Sequence, residues 1–244
     1  MKAAAASDSA PAEVAVDRKA VLNDTLRRRI TGMELAPGAV IDEVTLAEEF
    51  GLSRPPVREL MRQLAAEGYI ELEPNRPARV AAMGYQSMRS FFLAAPLIYV
   101  ATTQLAAQHA SPEEIAGLKQ IQARFRAAIE QNDLAARVHC NDQFHLAIGK
   151  MAHNDYLMPS LRRLLIDHAR MGRIFYRQPT TPDMQANLDT AMLQHEQIIA
   201  AIERRDAQAA GELVRAHWEL SRLRMTEYVV PAGMVLPMEH DTIR

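Results

Sequence analysis

Residues 44–80, VTLAEEFGLSRPPVRELMRQLAAEGYIELEPNRPARV, constrain the fold of this chain more than any other stretch. Residues 45–50 predict a short helix, closed by Gly51, because glycine takes the left-handed backbone that ends a helix. Ser53 stands at an N-cap position, and Pro55 and Pro56 suit a first helical turn, where an amide hydrogen has no partner. Val57, Leu60, Met61 and Leu64 then recur at i, i+3, i+4 and i+7, one apolar stripe of an amphipathic helix that Gly68 stops. Ile70 and Leu72 alternate with Glu71 and Glu73 as in a strand. Pro74-Asn75-Arg76-Pro77 reads as a turn, and Ala78-Arg79-Val80 as the returning strand.

Arg54, Arg58 and Arg62 sit four apart and share a side away from the stripe. Three arginines on a helix can be no more than a solvated face. Here they follow a short helix and a glycine turn, and a small ribbon with Arg76 and Arg79 near its tip comes after them. That order predicts a winged helix-turn-helix whose second helix enters the major groove. There arginine can grip phosphate or the O6/N7 edge of guanine.

The run LAEEFGLSRPPVRELMRQLAAEGYIELEPNRPARV resembles the DNA-binding head of GntR-type bacterial regulators, and LRRRITGMELAPGAVIDE upstream resembles that head's first helix and Pro-Gly loop. The resemblance covers about residues 18–80. It implies DNA contacts at Ser53, Arg54, Pro55, Pro56 and Arg58 on the recognition helix, and at Pro74, Asn75 and Arg76 on the wing. Pro55 stands where the family usually has threonine, so one hydroxyl available to DNA is missing and half-site preference need not follow that of relatives.

Length suggests two domains, and the 48% hydrophobic content can fill real cores. A single cysteine, Cys140, excludes a disulfide framework within the chain and is expected to pack. No apolar run approaches the roughly 20 residues of a membrane span. Residues 1–16, Ala-rich and without an apolar core, read as a disordered tail and not a signal peptide, so a cytoplasmic protein off the membrane is expected. Net charge is -2, and residues 17–80 hold ten Lys and Arg against eleven Asp and Glu. Positive charge must therefore be local to one face. A single head should bind weakly and with marked salt dependence, which pairing two heads would repair.

Residues 18–31 predict the first helix, with Val21, Leu22, Leu26 and Ile30 inward, and the winged head occupies 17–82. From 86 to 228 there is almost no strand signal, so the fold class is mostly α: an N-terminal winged helix-turn-helix followed by an all-α bundle. A helix over 86–109 is expected to kink or restart at Pro96. Ser111-Pro112-Glu113-Glu114 is a strong helix start. Further helices are expected near 134–152, 156–176, from Asp183 to 205, and from the Asp206 cap to 228. Residues 229–244 read as a loose tail.

Asn141 and His145, four apart, share a helix face. His195 lies eleven residues before Asp206 and His217 eleven after. If Asp206 is the turn of a helical hairpin, the two imidazoles lie level, about 16 Å from the turn. Three helices could then bring three histidines together inside a bundle, and neutral imidazole binds zinc, nickel, iron or copper. A lone histidine on an apolar face is more often a core residue, and His109, His139, His153 and His168 fit that description or an exposed one.

NDQFHLAI and HEQIIAAIERRDAQAAGELVRAHW resemble the all-helical ligand domain, called FCD, of the FadR-like branch. The resemblance implies a divalent metal, zinc first and nickel or another transition metal as alternatives, held by Asn141, His145, His195 and His217. Asn141 replaces the acidic ligand found in other members, which should weaken the site. Ala95 and Pro96 stand where relatives often carry arginine, and Arg170 is a candidate substitute for clamping an anionic effector. The expected whole is a homodimeric regulator reading a palindromic operator in double-stranded DNA under control of a small carboxylate. Two other classes fit parts of the sequence: a helical metalloenzyme using the same histidines with an activated water, though Glu196, the nearest base in sequence, lies about 100° around the helix from His195, and a winged helix that binds protein.

Overall fold

The computed structural model describes residues 17–175 and 182–229. The tails expected over 1–16 and beyond 229, and most of the Pro-Thr-Thr-Pro segment before α8, lie outside the described residues. Helix α1 (Arg18–Thr31) starts at Asp17, whose carboxylate accepts from the amides of Lys19 and Ala20, and ends at Gly32. Leu22, Leu26 and Ile30 are buried, but Val21 is exposed. One turn of stripe was read one residue too wide.

Helix α2 (Glu43–Glu49) begins two residues earlier than the sequence suggests, because Asp42 caps it through the amides of Val44 and Thr45. Gly51, at φ 60°, makes the turn, and α3 (Arg54–Glu67) follows with Ser53 at its N-cap. Val57, Leu60, Met61 and Leu64 are all buried, as the stripe requires. Strands β2 (Ile70–Glu71) and β3 (Ala78–Val80) form the wing. A third strand, β1 (Val40–Ile41), pairs with the other side of β3, giving the antiparallel order β1-β3-β2. Two residues carry no alternation to detect, so β1 left no sequence signal. The three helices and the sheet share one apolar core.

The bundle starts with α4 (Tyr85–His109), one uninterrupted helix through Pro96. By length and hydropathy alone it could cross a membrane. Here it is the central helix, packed on α6, α7, α8 and α9, with Phe92, Ala95 and Tyr99 buried. Helix α5 (Pro112–Glu130) begins with a full capping box between Ser111 and Glu114. Helices α6 (Leu134–Met151), α7 (Leu157–Phe175), α8 (Pro182–Glu203) and α9 (Ala207–Val229) complete it. Asp206 accepts from the Ala209 amide at the α8–α9 turn. Gly149 lets α6 approach α7, since a Cβ there would meet Leu161 at 2.0 Å.

Head and bundle meet along α7, which contacts α1 and α3. Gly68 ends α3 at φ 90°, and a Cβ on it would meet the Arg163 side chain at 2.3 Å, so both backbone sign and space demand glycine. Arg170, fully buried, donates to Asp167 at 3.0 Å and to the Ala81 carbonyl at 2.6 Å. Asp167 also accepts from Arg163 at 2.8 Å. Buried Arg170 and Asp167 thus fasten the chain just after the wing to the middle of the bundle.

Candidate nucleic-acid interface and candidate metal centre

Burying the apolar stripe of α3 turns Arg54, Arg58 and Arg62 outward, and all three are exposed. Arg58 reaches Glu43 at 3.4 Å, a long and solvent-screened pair. No ion pair involves Arg54 or Arg62 among the described contacts. Ser53 occupies the N-cap, but its hydroxyl makes no capping bond. Its side chain, like that of Pro55, faces solvent beside the arginines, and Pro56 is half-buried. At the wing tip Pro74, Asn75 and Arg76 are exposed, Asn75 at φ 61° and Arg76 paired with Glu73. Arg79 donates to the Gly38 carbonyl at 2.9 Å, which ties the wing to the loop before β1.

The three histidines do meet. His145 on α6, His195 on α8 and His217 on α9 are all buried, and their ligating nitrogens lie within 4.8 Å of one another. The α8–α9 hairpin turns at Asp206, so equal spacing puts His195 level with His217. Phe144 stacks on the His195 ring at 3.8 Å and fixes its plane.

Hydrogen bonding decides the tautomers. Gln122 on α5 donates its amide to the Met192 carbonyl at 3.1 Å, and a carbonyl can only accept. The Gln122 oxygen is thereby left to face His195 Nδ1 at 3.0 Å, so that nitrogen carries the proton. His217 Nδ1 lies 3.0 Å from Gln194 Oε1, an acceptor as placed, which puts the proton on Nδ1 here as well. Both Nε2 atoms then present lone pairs to each other across 3.2 Å. His145 Nε2 is buried with no hydrogen-bond partner. Unshared lone pairs brought this close repel unless a cation lies between them. The 3.2 Å spacing also suits two nitrogens on one tetrahedral zinc, about 3.3 Å apart for ~2.05 Å bonds.

Burial keeps these rings neutral, as ligands must be. It pushes His145 and His195 well below the usual imidazole range, with neighbouring histidines adding to the effect, and His217 down to about 3. A fourth buried histidine, His168 on α7, bonds the Tyr99 hydroxyl through Nδ1 at 2.8 Å and is held at about 4 by desolvation. With Tyr99, Val214, Trp218 and Ser221 it lines a small recess beside His145 and His217. Sequence reasoning left His168 unassigned, although its spacing from Leu161, Leu164 and Leu165 puts it on the buried face of α7. Gln122 and Gln194 were missed too; Gln122 falls on the Leu118–Phe125 stripe of α5.

Asn141 is half-buried one turn before His145 on α6. Arg170 departs from expectation: it does not line the histidine recess, and its guanidinium is taken up at the head–bundle junction. Glu196 pairs with Arg126 on α5, one helix face away from the histidines, as its 100° offset from His195 predicts.

Residues 19–80 match the family described as bacterial regulatory proteins, gntR family, and residues 97–220 match the FCD domain. The Escherichia coli K12 HTH-type transcriptional repressor RspR is 26% identical over 192 residues, covering 79% of this chain and 82% of that protein. The galactonate operon transcriptional repressor of the same organism is 25% identical over 224 residues, covering 83% and 94%. Among solved structures, E. coli McbR/YncC superposes with a TM-score of 0.74 at 18% identity, over 87% of this chain and 99% of that one, which speaks to the fold.

Proposed function

The chain belongs to the GntR family of bacterial regulatory proteins, as an FCD-domain transcription regulator and not an enzyme, and from that premise we propose that it is a cytoplasmic homodimeric repressor controlled by a small carboxylate bound at a metal centre. The facing Nε2 lone pairs of His195 and His217, with His145 Nε2 orphaned beside them, carry this reading. His145, His195 and His217 would hold a divalent ion, zinc first, with the Asn141 amide oxygen as a weaker fourth ligand. Such an ion supplies a positive charge on which an effector carboxylate can bind, the role an arginine at Ala95–Pro96 would otherwise fill. Gln122 and Gln194 hold the imidazoles in the ligating tautomer.

On the DNA side, Ser53, Arg54, Pro55, Pro56, Arg58 and Arg62 would meet the major groove, with Pro74, Asn75, Arg76 and Arg79 at the flanking backbone. Leu93 and Leu97, 51% and 68% exposed and one turn apart on α4, favour pairing with a second copy. Two heads related by a two-fold axis would read a palindrome. RspR and the galactonate operon protein are named repressors, which favours repression here too; relief by the effector is part of the proposal.

Elemental analysis of protein purified without chelator tests the centre: about one metal per chain in wild type and none in His195→Ala is expected. Metal-free wild type that also refuses zinc on titration would overturn it. A protein-only role for the head predicts that no sequence is enriched from a random DNA pool, whereas the reading above predicts a palindromic one.

A further inference from the structure

A second cavity, about 420 Å³, opens where head and bundle meet. This is within the ordinary range for small-molecule sites. Arg27 of α1, with Glu67 at the end of α3 and Tyr69 just beyond its Gly68 cap, forms one wall. The other wall is Asp142 and Leu146 on α6, and Arg162, Arg163, Leu165 and Ile166 on α7.

Most of its charge is already matched. Arg27 pairs with Glu67 at 2.5 Å and lies over the Tyr69 ring at 4.8 Å. Arg163 pairs with Asp167. Two groups are left. Asp142 Oδ1 is buried without a hydrogen-bond partner, and a buried carboxylate oxygen needs a donor. Arg162, exposed at the rim, has no ion-pair partner among the described contacts. Leu146, Leu165 and Ile166 add apolar surface to the same lining.

We propose that this junctional cavity is a second ligand site, taking a small zwitterion of the amino-acid class with its ammonium on Asp142, its carboxylate on Arg162 and an apolar side chain against Leu146, Leu165 and Ile166. Both domains build the walls, so the site is whole only while the head is docked on the bundle. A ligand there stabilises the docked arrangement over any other, by its difference in affinity between them. The site is separate from the histidine centre, and Asp142 lies about 100° around α6 from Asn141.

The test uses the full chain, calorimetric titration, and three matched probe sets: L-leucine and L-phenylalanine, the amines that remain without the carboxylate, and the acids that remain without the ammonium. Millimolar or tighter binding of at least one amino acid is expected, with its amine and acid each about tenfold weaker or more. Asp142→Asn should lose about tenfold or more in affinity for that amino acid, and Arg162→Ala, at an exposed position where folding is safe, should lose several-fold. Both variants should keep the metal content of wild type, which separates failure here from failure of the histidine centre. Binding of neither amino acid, equal binding of the amine alone, or affinity unchanged in both variants would overturn the assignment.

Discussion

The head holds the arginines of α3 out in water, whereas the bundle buries Arg170 completely. Arg54, Arg58 and Arg62 sit on a helix whose opposite face fills the head core. Arg170 has no exposure and is held by Asp167 and the Ala81 carbonyl. The same guanidinium is thus free for an external anion in one place and a fixed strut in the other. What decides is whether the surrounding apolar residues leave the arginine on the open side of its helix. The largest expected effect exploits that contrast. Arg170→Ala should destabilise the protein by about 3–5 kcal/mol, because it leaves a buried acid short of a partner and a carbonyl unsatisfied. Arg54→Ala should move stability by no more than about 0.5 kcal/mol. Urea unfolding of the two variants measures both, and comparable losses would erase the distinction.

Acid should separate the regions next. His168 is held at about 4 in the fold, against an ordinary value near 6.5 in the unfolded chain. Between those values the unfolded state binds a proton that the folded state refuses. Stability is therefore full above pH 6.5 and falls as pH drops towards 4, by on the order of 3 kcal/mol for this residue. His168→Gln, which can still accept from Tyr99, should lessen the acid slope of metal-free protein by about one proton. An unchanged slope would mean that His168 does not enter the fold neutral.

How far the sequence could be read follows the same division. The head is written in local spacings: a cap, a glycine turn, an i, i+3, i+4, i+7 stripe. Those features carry α3 and the wing turn without knowledge of tertiary contacts; the two-residue β1, the Asp42-capped start of α2, the outward Val21 and the end of β2 at Glu71, before the expected Leu72 and Glu73, escaped. The histidine centre was legible for a different reason, the equal spacing of His195 and His217 about a predicted turn together with a resemblance to FCD domains. Gln122, Gln194 and His168 were not, because what they do depends on which helix faces which. Arg170 was misjudged on the same ground. Nothing along the chain says that α7 lies against the exit of the wing, where a buried carbonyl awaits a donor.

Smaller effects belong to the DNA face. Arg58→Ala should weaken binding to the selected operator by about 1–3 kcal/mol if it reads a guanine edge, and should lower the salt slope by about 1 if it also neutralises phosphate. Its long pair with Glu43 must open for either contact, at a cost within the ~1 kcal/mol of an exposed pair. A loss that is uniform across sequences would assign Arg58 to the backbone, and a loss confined to one base position would assign it to readout. Binding isotherms at several salt concentrations on matched and mismatched operators distinguish the two.

The smallest effect tests whether the wing tip is shaped for DNA or merely tolerated. Asn75 holds φ at 61°, a left-handed conformation that glycine adopts without strain and alanine does not. Asn75→Gly should therefore keep the turn, with stability within about 0.5 kcal/mol of wild type. Asn75→Ala should lose about 1 kcal/mol through backbone strain alone. Neither loss reaches the bundle, so metal content stays as in wild type. If the side chain also meets DNA, the glycine variant loses operator affinity while its stability is unchanged, and the alanine variant loses both. If the side chain serves only the turn, glycine binds as wild type does. Unfolding and DNA titration of the same two variants therefore separate a residue that shapes the wing from one that also touches the duplex.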